Sequence, residues 1–467
     1  MRRAIAGGLA VVVLAGGYVV ADVVDLVPGV LTRDVPPPVP APGVLPAATA
    51  TAAPLGGLAH SAEEPTAAGL SAHVGAALAS PALGSSVGVD VRDGLTGRSL
   101  LARDVQAPRT PASTAKLLAA AAVLAAMNPR ATLTTKVVRG AAGEVVLVAG
   151  GDTMLAPGRG RPAATEGRAG LADLAAQTAA RLKAAGTTSV RLRLDTRYAA
   201  GEPYAPGWNQ ADVSAGYTQG VFMVGLAGQR PHPFKPSPRD PPRAVALAFQ
   251  KALAARGITA QLEEEAGWGE PVAAGEVLGK VESAPLVDIL SLALDDSDNA
   301  LTENLARQMA VHLKKPATFA AAAQAVREQV QGLGIELGSA HLVDASGLSA
   351  GQRLPVRVLG DILALATGGR LPALRSVVAD LPVAGLDGTL HDRFLTGPTH
   401  EAAGLARAKT GTLTGVSALA GTVVDASGRL LSFAVVADSV PGGPAGTLPA
   451  RAALDRFVAA LATCGCG

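Results

Sequence analysis

Residues 111–127 read PASTAKLLAAAAVLAAM, and this stretch constrains the fold more than any other. Pro111 followed by an unbroken run of alanine and leucine predicts a long helix that continues to Met127. Ser113 and Lys116 are three positions apart, so one helical turn places both side chains on the same face. A lysine with a lowered pKa could take the serine proton, and the unpaired N–H groups at the helix start would suit an oxyanion. Taken alone, the pattern favours a simpler interpretation, an N-capping serine beside a solvated lysine.

A second polar stretch, DDSDN at 295–299, lies between two predicted helical stretches. The hydroxyl of Ser297 could relay protons in a cleft, and the amide of Asn299 could hold a substrate carbonyl. The alternative is a polar N-cap cluster for the helix that starts near Ala300, and this alternative is favoured when the stretch is considered alone.

A third stretch, AKTGT at 408–412, leads into a predicted strand. Lys409 with Thr410 can bind an anionic group, and Gly411 lets the backbone approach a ligand closely. The N–H of Thr412 could be an oxyanion donor beside the N–H of the serine. A lysine that protects an edge strand from aggregation explains this stretch equally well when it is considered alone.

The three stretches together form an ordered set. S-x-x-K, S-x-N and K-T-G occur in this order in class A β-lactamases and penicillin-binding proteins. The chain resembles the penicillin-binding proteins of the D-alanyl-D-alanine carboxypeptidase/endopeptidase type, serine peptidase family S13, from about residue 67 to 463. The long interval between Lys116 and Ser297 resembles the large insertion of this family. Further stretches that resemble it are VAGGDT at 148–153, LDTRY at 194–198, APGW at 205–208, DASGLS at 344–349, LPVAG at 381–385 and DGTL at 387–390.

The resemblance implies a role for each catalytic side chain. Ser113 would attack the carbonyl of a terminal D-Ala-D-Ala or cross-link peptide bond, with Lys116 as the acylation base. Ser297 and Asn299 would line the cleft and pass a proton to the leaving amine. Water would then release the acyl-enzyme, whereas a β-lactam antibiotic would acylate the same serine and block it.

The resemblance also implies how the substrate is held. Lys409 and Thr410 would bind the substrate carboxylate, and Gly411 would allow the close approach. The N–H of Thr412 would complete the oxyanion hole. Asp195 lies in a motif of the insertion that would help to recognise the peptide stem; a buried aspartate in a turn is the alternative role.

The fold that the resemblance implies is α/β (α+β). A discontinuous penicillin-binding, transpeptidase-like or β-lactamase-like domain, with an antiparallel sheet covered by helices, would comprise 66–130 plus 284–467. A mostly β accessory region would be inserted at 131–283. From the residues themselves, we expect strands near residues 90 and 420 to share one sheet, and a final helix over Pro449–Thr463.

The N-terminal segment has the layout of an export signal. Arg2 and Arg3 precede an uncharged stretch at 4–21, which is also long enough to span a bilayer as a helix. We therefore expect a signal peptide or signal anchor at 1–35, followed by a Pro/Ala-rich linker at 36–65. Membrane contact would occur only through this segment, and the rest of the chain would lie outside the cytoplasm, in the cell envelope.

Composition narrows the function classes. The 467 residues suffice for about three domains, and a net charge of +2 argues against a nucleic-acid partner. The seven histidines show no metal-ligand spacing, so no metal or other cofactor is implied. We expect Cys464 and Cys466 to lie in a flexible tail. The Ala-rich, aromatic-poor composition is typical of a GC-rich genome such as that of an actinobacterium.

Two alternatives to the carboxypeptidase interpretation stay open. A serine β-lactamase would share the nucleophile but add fast deacylation, and the length of the insertion argues against it. A catalytically silent peptidoglycan-binding protein would keep the fold alone, and the intact set of motif residues argues against that.

Overall fold

The structure, a computed structural model, describes residues 62–466 except 272–274 and 396. The predicted export segment at 4–21 and nearly all of the predicted linker fall outside these residues. The strands are β1 Val87–Asp93, β2 Ser99–Arg103, β3 Pro108–Arg109, β4 Thr134–Arg139, β5 Glu144–Val148, β6 Ser189–Asp195, β7 Thr259–Leu262, β8 Val277–Glu282, β9 Leu354–Pro355, β10 Ala406–Leu413, β11 Val416–Val424 and β12 Leu430–Ala437. The α-helices are α1 Ala67–Leu78, α2 Lys116–Ala126, α3 Leu171–Ala184, α4 Gln210–Ser214, α5 Pro241–Ala254, α6 Leu286–Asp295, α7 Asn299–His312, α8 Phe319–Gly332, α9 Val356–Thr367, α10 Arg375–Ala379 and α11 Pro444–Ala462.

Strands from both ends of the described chain form one antiparallel sheet, in the order β10-β11-β12-β1-β2. The central strand is β12, in which Val435 lies opposite Val89 of β1 and Leu419 of β11. The prediction that strands near residues 90 and 420 share a sheet is therefore confirmed. The pairing brings strands from near both ends of the described residues into one layer.

Both faces of this sheet are covered by helices. Alternate residues of β11 point to opposite faces, so Leu419 packs in the core that includes α1 and α11, whereas Ala418 and Ala420 pack in the helical core that includes α2. All three side chains are buried. Small side chains on the second face leave room for the turn that precedes α2 to lie directly against β10 and β11.

A second sheet is formed by the chain between α2 and α6, in the order β7-β6-β5-β4-β8. β5, β6 and β7 run parallel, while β4 pairs antiparallel with β5 and β8. Parallel neighbours need a crossover, and α3 and α5 supply these crossovers and pack on the sheet through Leu174 and Phe249. The prediction of a mostly β region is refined accordingly, because two 14-residue helices cover its five strands.

Two predicted helix boundaries are wrong. The helix expected from Pro111 begins as a 3₁₀ turn at Ala112–Ala115 and becomes α-helical only at Lys116. Ala112, at the start of that turn, has a φ of +47°, so the α-helix cannot extend back to Pro111. The last helix starts at Pro444, with Pro449 in its interior, where a missing N–H costs one backbone hydrogen bond without ending the helix.

The C-terminal residues are also not the flexible tail that we expected. Cys464 is fully buried in the core around α1 and α11 and forms a disulfide with Cys466. The N–H of Thr66, which caps α1, donates to the carbonyl oxygen of Cys466 at 3.0 Å. The end of the described chain thus closes against its beginning.

Within the described residues, no single helix is both long enough and apolar enough to cross a membrane. One bent pair, Val356–Thr367 with Pro372–Ala379, meets the criteria of length and composition only when both members are counted together. Leu359 and Leu363 of this pair are buried in the helical core.

Candidate active site

Ser113 lies in a turn whose backbone is strained. Its neighbour Ala112 has a φ of +47°, a left-handed conformation that is uncommon for alanine. Gly347 packs on this turn: its φ is +85°, and a Cβ added there would lie 2.0 Å from the carbonyl oxygen of Ala112. Strained residues of this kind persist only where the surroundings hold them, and they concentrate at functional sites.

The side chain of Lys116 connects three parts of the fold. Its Nζ donates to Ser113 Oγ at 2.9 Å, to Asn299 Oδ1 at 2.6 Å and to the carbonyl oxygen of Ser346 at 2.9 Å. Lys116 is fully buried, whereas Ser113 is only half-buried. The lysine is therefore enclosed, while the hydroxyl beside it stays within reach of a ligand.

Burial lowers the pKa of Lys116 to about 8, and the nearby carboxyl groups of Asp344, Glu303 and Asp298 oppose this shift. A neutral amine has two hydrogens and one lone pair. With Asn299 and Ser346 accepting the two hydrogens, the lone pair points at the hydroxyl of Ser113. The arrangement can therefore move a proton from serine to lysine near neutral pH.

The stretch at 295–299 serves two purposes. Asp298 caps α7, because its carboxylate accepts the N–H of Leu301 at 2.9 Å, and it also accepts from Nη2 of Arg230 at 2.8 Å. Ser297, half-buried, has a φ of +56° in the turn between α6 and α7. The capping interpretation thus applies to Asp298, while its neighbour Asn299 reaches the lysine.

Asn299 is fixed from both ends of its amide. Its Oδ1 accepts from Lys116, and its Nδ2 donates to the carbonyl oxygen of Tyr217 at 2.8 Å. Tyr217 belongs to the segment between α2 and α6, so this segment supports the site. The side chain of Asn299 is buried, and with a donor on one side and an acceptor on the other only one orientation of the amide satisfies both.

Strand β10 presents a second buried lysine. The Nζ of Lys409 donates to the carbonyl oxygen of Thr410 at 3.2 Å. Burial and the positive charge of Lys116 lower the pKa of Lys409 well below its ordinary value, against the attraction of Asp295 and Asp296. The carboxylate of a ligand would favour the protonated form of this lysine, so the site is suited to an anionic ligand.

Gly411 and Thr412 form the contact between β10 and the serine turn. A Cβ added at Gly411 would lie 2.8 Å from the carbonyl oxygen of Pro111 and 3.3 Å from the Cβ of Ala112. Only glycine lets the strand approach the turn this closely. Thr412 is half-buried, and its Oγ1 accepts from Nη2 of Arg451 at 3.4 Å.

The loop at 344–349 is a part of the site that none of the three sequence motifs includes. Asp344 holds this loop by accepting the N–H groups of Gly347 and Ser349, each at 2.7 Å, and Nε1 of Trp208 at 3.0 Å. The loop delivers the carbonyl oxygen of Ser346 to the lysine. Its pattern, DASGLS, was visible as a family-like stretch, but a main-chain acceptor has no signature of its own.

Asp195 has its partners within its own turn at the end of β6. Its carboxylate accepts three hydrogen bonds from Arg197, each at 3.0 Å. The side chain is buried. These contacts support the alternative role, an aspartate that fixes a turn. No group of three or more His, Cys, Asp or Glu side chains in the described part of the chain is placed to hold a metal ion.

Comparison with known proteins identifies one family. The model of the D-Ala-D-Ala carboxypeptidase 3 (S13) family matches residues 70–224 and 225–461. Carboxypeptidase DacB of Mycolicibacterium smegmatis is 39% identical over 437 residues, which cover 92% of this chain and 90% of that protein. Carboxypeptidase Rv3627c of Mycobacterium tuberculosis is 36% identical over 415 residues, which cover 88% and 87%. Both relatives are mycobacterial, in agreement with the actinobacterial composition.

A solved structure supports the fold. Penicillin binding protein 4 (dacB) of Haemophilus influenzae superposes with a TM-score of 0.62 at 22% identity, covering 84% of this chain and 97% of that one. The predicted fold, an antiparallel sheet covered by helices as in penicillin-binding proteins, is therefore confirmed.

Proposed function

The chain belongs to the D-Ala-D-Ala carboxypeptidase 3 (S13) family, and we propose on this basis that it is a serine-type D-Ala-D-Ala carboxypeptidase acting on peptidoglycan stem peptides. The observation that carries the proposal is the position of Lys116, whose buried amine contacts Ser113, Asn299 and the Ser346 carbonyl at once. A serine hydroxyl is a weak nucleophile, and an adjacent base with a lowered pKa activates it.

Acylation begins with proton transfer from the hydroxyl of Ser113 to the neutral Nζ of Lys116. The Oγ then bonds to the carbonyl carbon of the penultimate D-Ala, and the carbonyl oxygen becomes an oxyanion. The N–H groups of Ser113 and Thr412 stabilise this oxyanion, because β10 lies against the serine turn. Donors that are fixed in this way need no reorganisation as the charge develops.

The leaving group needs the proton that Lys116 has gained. The C–N bond breaks as the proton passes from Lys116 to the amine, with the hydroxyl of Ser297 as the relay and Asn299 holding the lysine in place. D-Alanine departs and an ester on Ser113 remains. Water attacks the carbonyl carbon of this ester and gives a proton to Lys116. The bond between that carbon and Oγ breaks, the shortened peptide leaves as a carboxylic acid, and Lys116 returns the proton to Ser113.

Recognition of a free carboxyl terminus falls to β10. Lys409 is buried with one carbonyl acceptor, so the carboxylate of the terminal D-Ala would supply the missing negative charge. The hydroxyl of Thr410, which now contacts Thr389 Oγ1 at 3.0 Å, adds a donor. Gly411 keeps the strand close enough for the substrate to contact its backbone.

The segment at 131–283 acts as an inserted accessory domain within a catalytic domain formed by 66–130 and 284–467. Its support of the site is local: the carbonyl of Tyr217 orients Asn299, and Arg230 neutralises Asp298. Recognition of the peptide stem by Asp195 has less support, because Arg197 occupies its carboxylate.

The protein works outside the cytoplasm, where its peptidoglycan substrate lies. The basic start and uncharged stretch at 4–21 support export, with this segment as a cleaved signal or as the only membrane contact. β-Lactam antibiotics would acylate Ser113 and inhibit the enzyme, in line with the name of the similar Haemophilus protein.

The test is release of D-alanine from a peptide that ends in D-Ala-D-Ala, with the wild type, Ser113→Ala and the exposed-site control Ser427→Ala. We expect the wild type and the control to release D-alanine, and Ser113→Ala to lose activity by at least about a thousandfold. A cross-linked stem peptide, assayed in parallel, measures endopeptidase activity.

A fluorescent penicillin separates the alternatives. A stable covalent adduct on the wild type supports the carboxypeptidase, and rapid hydrolysis of the drug would instead show a β-lactamase. A wild type that neither binds the drug covalently nor releases D-alanine would be the silent peptidoglycan-binding protein. Unchanged activity of Ser113→Ala would contradict the mechanism itself.

A further inference from the structure

Glu303 lies one helical turn after Asn299 on α7 and is 1% exposed. Its Oε1 accepts two main-chain N–H groups, that of Ala345 at 2.8 Å and that of Ser346 at 2.6 Å. The carbonyl of the same residue, Ser346, accepts from Lys116 at 2.9 Å. A single residue of backbone therefore connects the carboxyl group to the lysine.

We propose that Glu303 is a positioning residue for acylation, which holds the Ser346 carbonyl against Lys116 and sets the pH range in which Lys116 is a base. The inference rests on the proposed function, since it assigns Glu303 a task in the reaction of Ser113. It adds a residue that none of the three motifs contains.

The second oxygen of Glu303 indicates how the residue works. Its Oε2 is buried and has no hydrogen-bond partner among the residues that the structure describes. An anion with an unsolvated, unpaired oxygen is costly in the interior, so the neutral acid is favoured. Burial, reinforced by Asp344, raises the pKa of Glu303 to about 8, while the N–H of Ser346 and the charge of Lys116 oppose the shift.

The charged groups around Glu303 define its coupling to the base. Asp344 faces it from the loop at 344–349, Lys116 from the start of α2, and Arg307 from the next turn of its own helix. Asp298 acts on the lysine rather than on Glu303. Because the charge of each buried group acts on the pKa of the other, the protonation of Lys116 and that of Glu303 are coupled.

Two arrangements of this pair carry the same net charge. In one, Lys116 and Glu303 are both neutral, and the lysine can accept the proton of Ser113. In the other, an ionised Glu303 stabilises the ammonium form of Lys116, which has no lone pair. The neutral acid thus keeps the lysine available, and ionised Glu303 withdraws it.

The test is the pH profile of acylation by a fluorescent penicillin, from pH 5 to 10 in about half-unit steps. Glu303→Gln keeps an acceptor for the two N–H groups but cannot ionise. We expect its acid limb to move to lower pH by about one unit, because no anion stabilises the ammonium form. The plateau rate of acylation in Glu303→Gln stays within about threefold of the wild type. Glu303→Ala removes the acceptor that holds the Ser346 loop, so its plateau rate should fall about 10- to 100-fold.

Asp152→Asn is the matched control. Asp152 is also buried, and burial raises its pKa to about 6. Its carboxylate accepts from the N–H of Met154, within the segment at 131–283. The pH profile of acylation in Asp152→Asn should therefore match that of the wild type. Thermal unfolding of each variant shows whether it folds; if Glu303→Ala does not fold, Glu303→Gln still carries the test.

The outcomes separate the two proposals. A Glu303→Gln profile that superposes on the wild type, or moves to higher pH, overturns the inference while leaving the carboxypeptidase proposal in place. A shift to lower pH in Glu303→Gln that is absent from Asp152→Asn supports it. A wild type that penicillin does not acylate at any pH would contradict the proposed function, and the inference that rests on it would fail as well.

Discussion

The turn that carries Lys116 and the strand that carries Lys409 each bury a lysine completely, yet they surround it differently. Lys116 donates to three acceptors and lies near three carboxyl groups. Among the described residues, Lys409 donates to one carbonyl oxygen and is attracted by the carboxyl groups of Asp295 and Asp296. The first environment holds an amine whose proton can leave and return. The second leaves a buried lysine that an arriving carboxylate would favour in its protonated form.

The comparison teaches that residue type and burial do not decide the role of a lysine. Acceptors around Lys116 can be satisfied by a neutral amine, with its lone pair directed at Ser113. The surroundings of Lys409 favour the arrival of a carboxylate. We therefore expect the two lysines to respond differently to substitution, to substrate and to pH.

Replacing Lys116 by alanine should have the largest effect of the lysine substitutions. Without a base next to Ser113, acylation by penicillin should slow by about 10²- to 10⁴-fold. In the wild type the rate should rise with pH through about 8, since the neutral amine is the reactive form. Stopped-flow measurements of acylation give both the rate of the variant and the pH dependence of the wild type. A wild-type rate in Lys116→Ala would show that Lys116 is not the base.

Replacing Lys409 by alanine should have a smaller effect that depends on the substrate. Loss of a charged partner for the carboxylate should reduce kcat/KM about 10- to 100-fold for a peptide with a free C-terminus. A peptide amide lacks that charge and is already a poorer substrate for the wild type. Lys409→Ala should therefore reduce kcat/KM for the amide only slightly. Equal losses for acid and amide would show that Lys409 does not read the carboxylate.

The sequence predicted the part of the site that depends on local spacing. Ser113 and Lys116 lie within a hydrogen bond of each other because they are three positions apart, and Asn299 emerges from the start of a helix as its motif indicated. Ser346 could not be predicted, because it acts through a main-chain carbonyl. Glu303 has the helical spacing of Asn299, but its contact with the 344–349 loop arises only in the folded chain.

The same limit applies to the fold. Alternation and turn residues predicted the strands of the first sheet and that the strands near residues 90 and 420 share it, and the resemblance implied the helices that cover it. The left-handed Ala112 that interrupts the first helix is imposed by packing against Gly347 and β10, which no local propensity encodes. Burial of Cys464 depends on α1, nearly four hundred residues earlier.

The lowered pKa of Lys116 also predicts how the free energy of unfolding depends on pH. The pKa of Lys116 is about 8 in the folded protein and 10.5 ordinarily, so the unfolded chain binds more protons between these values. Wild-type stability should therefore rise relative to Lys116→Met as pH increases from 8 to 10.5, by a few kcal/mol at most. The difference is measured by urea unfolding, with Lys409→Met in both proteins so that the second buried lysine does not titrate. A difference that is flat in pH would contradict the burial of a titrating lysine.

The residues that cap α7 and α8 give the smallest predicted effect on activity and separate it from stability. Asp298→Ala should lose more than the about 1 kcal/mol of a helix cap, because it also leaves the buried Arg230 without this carboxylate. It should also lose activity, because the turn carrying Ser297 and Asn299 loosens. Thr318→Ala removes the comparable cap of α8, away from the site. Thr318→Ala should lose about 1 kcal/mol of unfolding free energy and keep its activity; equal losses of activity in both variants would show that the Asp298 turn has no special role.

The most direct test of the account is the position of the covalent bond. The protein is incubated with penicillin, digested, and the modified peptide is located by tandem mass spectrometry. We expect the acyl group on Ser113 and on no other residue, and its yield to fall in Lys116→Ala far more than in Lys409→Ala. An adduct on another residue, or equal yields in the two lysine variants, would contradict the assignment of Ser113 as nucleophile and Lys116 as its base.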